Sequence, residues 1–178
     1  MRLTFVLLFC VSFVFSQTND SQLAYQYYQS AEYDKAIEIY KNLSKGSNFS
    51  QYYHPFFQCL ILSDNMPGAK KLAQKMIRKN SRSLNFQVDL YMVYIKIDDK
   101  INARKTKDKI HSELSKNLYQ IVSVANTFVK YGFYQQALDC YHMVEEFNTD
   151  RISHYNIQKA QLYQYLNKDE LMVEAYLS

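Results

Sequence analysis

The sequence predicts an all-α protein, an α-solenoid of about five antiparallel helical hairpins. Three observations carry that expectation. The stretch Leu23 to Leu43 holds apolar residues at helical spacing in two short runs: Leu23, Ala24, Tyr27 and Tyr28, then Ala36, Tyr40 and Leu43. A break at Ala31-Glu32-Tyr33-Asp34 separates the runs, with Asp34 expected as the N-cap of the second helix. The small residue of the second run then returns at Ala69, Ala103 and Ala137, at steps of 33, 34 and 34 residues. Finally, only 3 glycines and 2 prolines in 178 residues leave little turn chemistry beyond short helix–helix connections.

The first hairpin states the packing rule. Ala24 and Ala36 let two helices approach closely, and Tyr27 and Tyr40 fill the space beside them. The clearest copy is Ile121 to Glu146. There Val124, Ala125, Phe128, Gly132, Tyr134, Ala137, Tyr141 and Val144 match Leu23, Ala24, Tyr27, Ala31, Tyr33, Ala36, Tyr40 and Leu43 in order. This pattern resembles the tetratricopeptide repeat (TPR) family: a small residue, an aromatic four later, glycine at the turn, alanine in the second helix and an aromatic after it.

The resemblance covers nearly the whole chain after residue 16, in TPR-like repeats of about 17–49, 50–83, 84–117, 118–151 and 152–178. It is uneven. The second copy has Phe57 at the small position and Ala73 at the second aromatic position; the third has Tyr91 and Lys107 there. The fifth runs from Ala160, Tyr163 and Leu166 to Met172 and Tyr176, with Met172 replacing the alanine. The family's closing proline is absent throughout. An ordinary helical bundle without repeats is the competing architecture.

Residues 1–16 stand outside the array. Arg2 supplies a positive start and Leu3 to Phe15 an apolar run, shorter than the ~20 residues of a membrane-spanning helix. Val14 and Ser16 suit the small-residue sites before a cut, so a secretory signal peptide cleaved after Ser16 is expected, leaving Gln17 first. An uncleaved anchor and a lipid anchor at Cys10 are the alternatives. Export points to the periplasm or outer envelope of a Gram-negative bacterium, and no later stretch is apolar enough to span a bilayer.

Cys59 and Cys140 fall in hairpins two apart, beyond bridging reach in a solenoid, and are expected as free buried thiols. Pro55 is expected in a first turn, with its helix starting near Tyr52. Asn65-Met66-Pro67 opens the next helix, with Pro67 in its first turn. At the far end, Leu171, Met172, Ala175 and Leu177 keep the last helix apolar up to Ser178. A longer protein, another subunit or self-association covering that end is expected, because a terminal repeat needs a polar outer face.

The chain carries a net charge of +4, and its bases cluster. Lys70, Lys71, Lys75, Arg78 and Lys79 lie in one second helix with no acid among them; Arg104 and Lys105 lie in the next. A solvated face and a patch for an anionic envelope surface are the two readings. By analogy with the family's geometry, the first helices line a concave groove through Tyr25, Tyr28, Gln58, Met92, Lys96, Asn126, Lys130 and Gln161. Some family members clamp a peptide carboxylate with a lysine and an asparagine four apart; Ser21 and Tyr25 occupy those places, so that clamp is missing.

No catalytic or cofactor motif is present: no HExxH, CxxC, GxSxG or phosphate-cradling glycine loop. His54, His111, His142 and His154 are scattered, so no metal site and no cofactor is expected. Asn19, Asn42 and Asn48 begin Asn-x-Ser sequons, which matter only in a host that glycosylates exported proteins. The expected function is a non-enzymatic exported scaffold for a peptide or protein, with no nucleic acid and no small-molecule substrate. A sensory or interaction module of a larger envelope signalling protein is one alternative, and adhesion to an anionic envelope surface through the basic helices is another.

The repeat frame predicts that Ala137→Asp destabilises the fold by about 3 kcal/mol or more, because a charge is forced between close helices. Urea denaturation checks it; a loss under about 0.5 kcal/mol would place Ala137 at the surface.

Overall fold

A computed structural model describes residues 20–45, 49–114, 118–147 and 155–177, the side chains of 145–147 excepted. The segment read as a signal peptide lies outside these residues, as do Cys10, Asn19, Asn48, His154 and Ser178. The described residues form ten helices and no strand: α1 (20–29), α2 (Tyr33–Leu43), α3 (Phe49–Leu62), α4 (Met66–Lys79) and α5 (Asn85–Lys96), then α6 (Lys100–Glu113), α7 (Leu118–Lys130), α8 (Tyr134–Phe147), α9 (Asn156–Tyr165) and α10 (Asp169–Leu177). The chain is therefore all-α, a TPR-like series of helical hairpins. It divides into two compact units, Met1–Met76 and Ile77–Ser178.

One backbone device makes every hairpin. Ala31, Asp64, Asp98, Gly132 and Asn167 sit between paired helices with φ of 58°, 57°, 55°, 74° and 55°, the left-handed region. The N–H of the next residue reaches back five places to a carbonyl: Glu32 to Tyr27, Asn65 to Leu60, Asp99 to Tyr94, Phe133 to Phe128 and Lys168 to Tyr163, at 2.8–3.0 Å. Each left-handed residue donates three places back as well, as Gly132 does to Val129 at 2.9 Å. These bonds satisfy carbonyls that a helix end leaves open, the Schellman arrangement. The turn also sets the second helix. Its first bond runs from Ala36, Ala69, Ala103, Ala137 and Met172 to the carbonyl four residues earlier. The alanine period in the sequence is thus the period of the turn.

The alanines do what their size permits. Ala24, Ala36, Ala69, Ala125, Ala137 and Ala160 are completely buried and Ala103 nearly so. In the first unit, α2 packs on α3, and Gly68 of α4 lies so close to α3 that a Cβ there would meet Leu60 Cδ2 at 2.9 Å. Asn65 Oδ1 accepts from Gly68 N at 3.0 Å and caps α4, with Pro67 in its first turn. In the second unit, α5 pairs with α6, α7 with α8 and α9 with α10; α5 also touches α7, and α8 touches α9.

Two boundaries differ from expectation. Glu32 takes the N-cap place of α2 without a side-chain bond, and Asp34 sits inside the first turn. The shared turn sets this start, and Asp34 still faces the positive end of the helix dipole. Pro55 lies inside α3 rather than in its first turn, since α3 begins at Phe49. Phe49 and Tyr53, one turn apart, are buried to within 1%, and that burial holds the extra turn against the hydrogen bond Pro55 cannot donate.

Left-handed backbone favours glycine and penalises alanine, so the two such turns should respond oppositely to exchange. Gly132→Ala is expected to destabilise by about 1 kcal/mol, and Ala31→Gly to stabilise by about 0.5–1 kcal/mol. Chemical denaturation of both variants checks the turn geometry; shifts of the same sign would contradict it.

Candidate functional site

Among the described residues, no three His, Cys, Asp or Glu side chains are grouped as metal donors. His54 and His111 are exposed, and the Nε2 of half-buried His142 lies 3.4 Å from Tyr163 Oη. Cys59 and Cys140 are free and buried, as their repeat positions imply. Burial pushes the Cys59 thiol up to about 11 and, with a contribution from Asp139, the Cys140 thiol up to about 12. Neither is a ready nucleophile. No described helix is long and apolar enough to cross a membrane.

The first-helix residues divide by unit. In the first, Tyr25 of α1 is 56% exposed and Tyr28 is half-buried. Their rings stack with centroids 6.3 Å apart, and Tyr28 meets Tyr33 of α2 at 6.0 Å. Lys35 pairs with Glu32 and sits 5.2 Å over the Tyr27 ring, so charge flanks this aromatic run. Burial pushes Tyr40 up to about 12, and its ring meets Tyr52 of α3 at 6.4 Å. Gln58 of α3 is half-buried.

In the second unit, Lys96 of α5, Asn126 and Lys130 of α7 and Gln161 of α9 are exposed. Asn126 Oδ1 accepts from Tyr141 Oη at 3.3 Å, and Lys130 Nζ lies 5.3 Å from the Tyr131 ring. Met92 offers no contact surface: it is 3% exposed. The reason is its helix. Eight consecutive residues, Gln87 to Tyr94, are buried, so α5 is central to its unit and has no open face except at its C-terminal end.

That burial includes a carboxylate that the sequence did not single out. Asp89 is 1% exposed, and its Oδ1 accepts from Tyr131 Oη at 2.5 Å. Burial, then the Asp89 charge and its hydrogen bond, drives the Tyr131 phenol far above the ordinary tyrosine range. The pair ties α5 to the end of α7. Its positions, 42 residues apart, carry no mark in the local pattern that would have revealed it.

The basic residues also separate. On α4, Lys71, Lys75, Arg78 and Lys79 are exposed and Lys70 is half-buried. Lys71, Lys75 and Arg78 form no ion pair among the described residues. On α6, Arg104 and Lys105 are exposed, and Arg104 faces Asp108 at 3.9 Å while Lys109 faces Glu113 at 3.7 Å. The α6 charges are thus partly answered on their own helix, whereas Lys71, Lys75 and Arg78 of α4 have no such pair among the described residues. Lys41 at the end of α2 and Lys45 just beyond it repeat the four-residue lysine spacing of Lys71 and Lys75, a signal that the basic-helix reading does not include.

No family model and no curated protein sequence matches the chain. Similar solved structures exist. A thermophilic TPR protein of Thermus thermophilus, TTC0263, is 12% identical with a TM-score of 0.50, over 90% of this chain and 88% of that one. A structure of MamA is 13% identical with a TM-score of 0.48, over 90% and 87%. A second, MamA AMB-1, is 10% identical with a TM-score of 0.45, over 91% and 88%. The likeness to the Thermus protein shows that the fold is TPR-like.

Proposed function

We propose that this TPR-like hairpin array is an exported, non-catalytic scaffold that binds a peptide or protein through the solvent-facing side of its first helices. The observation that carries the reading is the tyrosine run of the first hairpin. Tyr25, Tyr28 and Tyr33 form a contiguous aromatic surface, and Tyr25 is more than half exposed. Tyrosine binds well at low entropic cost, because its ring is rigid and amphipathic. Lys96, Asn126, Lys130 and Gln161 supply polar and cationic contacts on the first helices of the second unit. Within each unit, turns repeated at a fixed period hold paired helices together, so little ordering cost falls on the scaffold there. Export rests on Arg2 and the apolar run from Leu3 to Phe15. It places the work in the periplasm or outer envelope of a Gram-negative bacterium.

Peptides selected from a displayed library on the purified protein test the binding surface. Tyr25→Ala with Tyr28→Ala is expected to weaken a selected peptide at least tenfold, about 1.4 kcal/mol. Arg104→Gln with Lys105→Gln should leave it unchanged. A peptide that binds the tyrosine variant as well as the parent overturns the assignment.

Export has its own check. The chain recovered from the periplasm of a Gram-negative host is expected to begin at Gln17; a cell-associated chain that retains Met1 contradicts the reading.

A further inference from the structure

The first unit holds a cleft among α2, α3 and α4 that the protein-binding reading does not use. Its volume is about 470 Å³, within the range of about 300–1,000 Å³ typical of small-ligand sites. The floor is apolar: Phe49, Phe56 and Leu60 of α3, with Ile37 of α2 and Leu72 of α4. Four lysines stand around it, Lys41 and Lys45 from the α2 side and Lys71 and Lys75 from α4. No carboxylate lines the cleft among the described residues.

The lysines are not all explained by helix stability. Lys41 and Lys45 lie at the C-terminal end of α2, where cations suit the helix dipole, and Lys45 Nζ donates to Asn42 Oδ1 at 2.9 Å. Lys71 and Lys75 lie mid-helix, where that effect has faded, and have no acidic partner among the described residues. Lys75 Nζ sits 4.0 Å from the centroid of the Phe49 ring, so the end of this exposed side chain lies over the apolar floor.

A second observation points to a ligand. Ser44 borders the cleft and is only 5% exposed, and among the described residues its Oγ has no hydrogen-bond partner. A buried hydroxyl left unsatisfied is destabilising unless something else supplies the bond. A cleft of about 260 Å³ in the second unit lacks this character, since Asp108 and Asp139 stand in it with Lys107.

We infer that the α2–α3–α4 cleft binds a single-chain amphipathic anion, its alkyl chain on the Phe49–Phe56–Leu72 floor and its carboxylate or phosphate head among the lysines. Burial of the chain supplies affinity, and the lysines fix the orientation of the head and reject a neutral one. The inference goes beyond the protein-binding reading and does not depend on it. Such a head and tail could come from a free acid or from a bilayer lipid; a hollow lined from three helices, with room for one chain, fits the free molecule.

Calorimetric titration with monomeric decanoate tests this. Decanoate is expected to bind, decanol at least tenfold more weakly, and inorganic phosphate not measurably. Lys71→Gln with Lys75→Gln should weaken decanoate at least tenfold; both residues are exposed, and a circular dichroism melt confirms that the variant folds. Ser44→Ala should weaken it by several-fold, and Arg104→Gln with Lys105→Gln should not change it. Absence of decanoate binding overturns the inference. So does equal binding of decanol, or capture by phosphatidylglycerol vesicles or an acidic peptide without decanoate binding.

Discussion

A left-handed residue at the end of each first helix is the constraint on which the rest of the structure depends. Its backbone angle turns the chain back on itself and lets two N–H groups close onto the carbonyls of the helix just finished. The second helix begins from the same residues, with its first hydrogen bond four positions on. Turn, helix start and signature position therefore move as one block. This is why a chain with so few glycines can still build hairpins: aspartate at 64 and 98 and asparagine at 167 tolerate the left-handed region, and Ala31 bears it without a polar side chain to help.

Given identical turns, packing must adjust to unlike side chains. In the first and fourth hairpins a small residue faces the close approach and a tyrosine fills the neighbouring space, Ala24 with Tyr40 and Ala125 with Tyr141. The second hairpin exchanges the sizes. Phe57 and Ala73 are both completely buried, and Phe57 stacks on Tyr53 at 5.6 Å. The third keeps a large residue, Tyr91, which packs edge-on against Phe128 and Phe133. Its counterpart, Lys107, stays exposed. The second hairpin is the kind of size exchange that a core tolerates when space is filled. The same adjustment draws α5 into the centre of its unit, with Asp89 and Tyr131 satisfying each other inside it.

The surfaces differ in kind. Tyr25 and Tyr28 offer rigid aromatic area, suited to a peptide or protein. The lysines of α2 and α4 ring an apolar hollow with a buried hydroxyl at its border, suited to a smaller molecule with one charged end. Arg104 and Lys109 of α6 are answered by acids on their own helix, in exposed pairs. One composition thus yields three electrostatic situations, because what matters is which charges share a neighbourhood with apolar surface and which with an opposite charge.

The hairpin class, the repeat period and the burial of Ala36, Ala69, Ala103 and Ala137 were legible in the chain itself. Each follows from relations spanning a few residues: helical spacing, a turn closed over five positions, and small residues where helices touch. Tyr25, Lys96, Asn126, Lys130 and Gln161, placed on the first helices by analogy with the family's geometry, are exposed. Only the tertiary structure decided that Met92 is core, that Asp89 lies under Tyr131, and that Lys41 and Lys45 share a hollow with Lys71 and Lys75. Those depend on residues some 30 to 42 positions apart, and on how far neighbouring helices close over one another. A hairpin's own pattern says which of its faces is apolar; how much of that face a neighbour covers is set by side chains it does not contain.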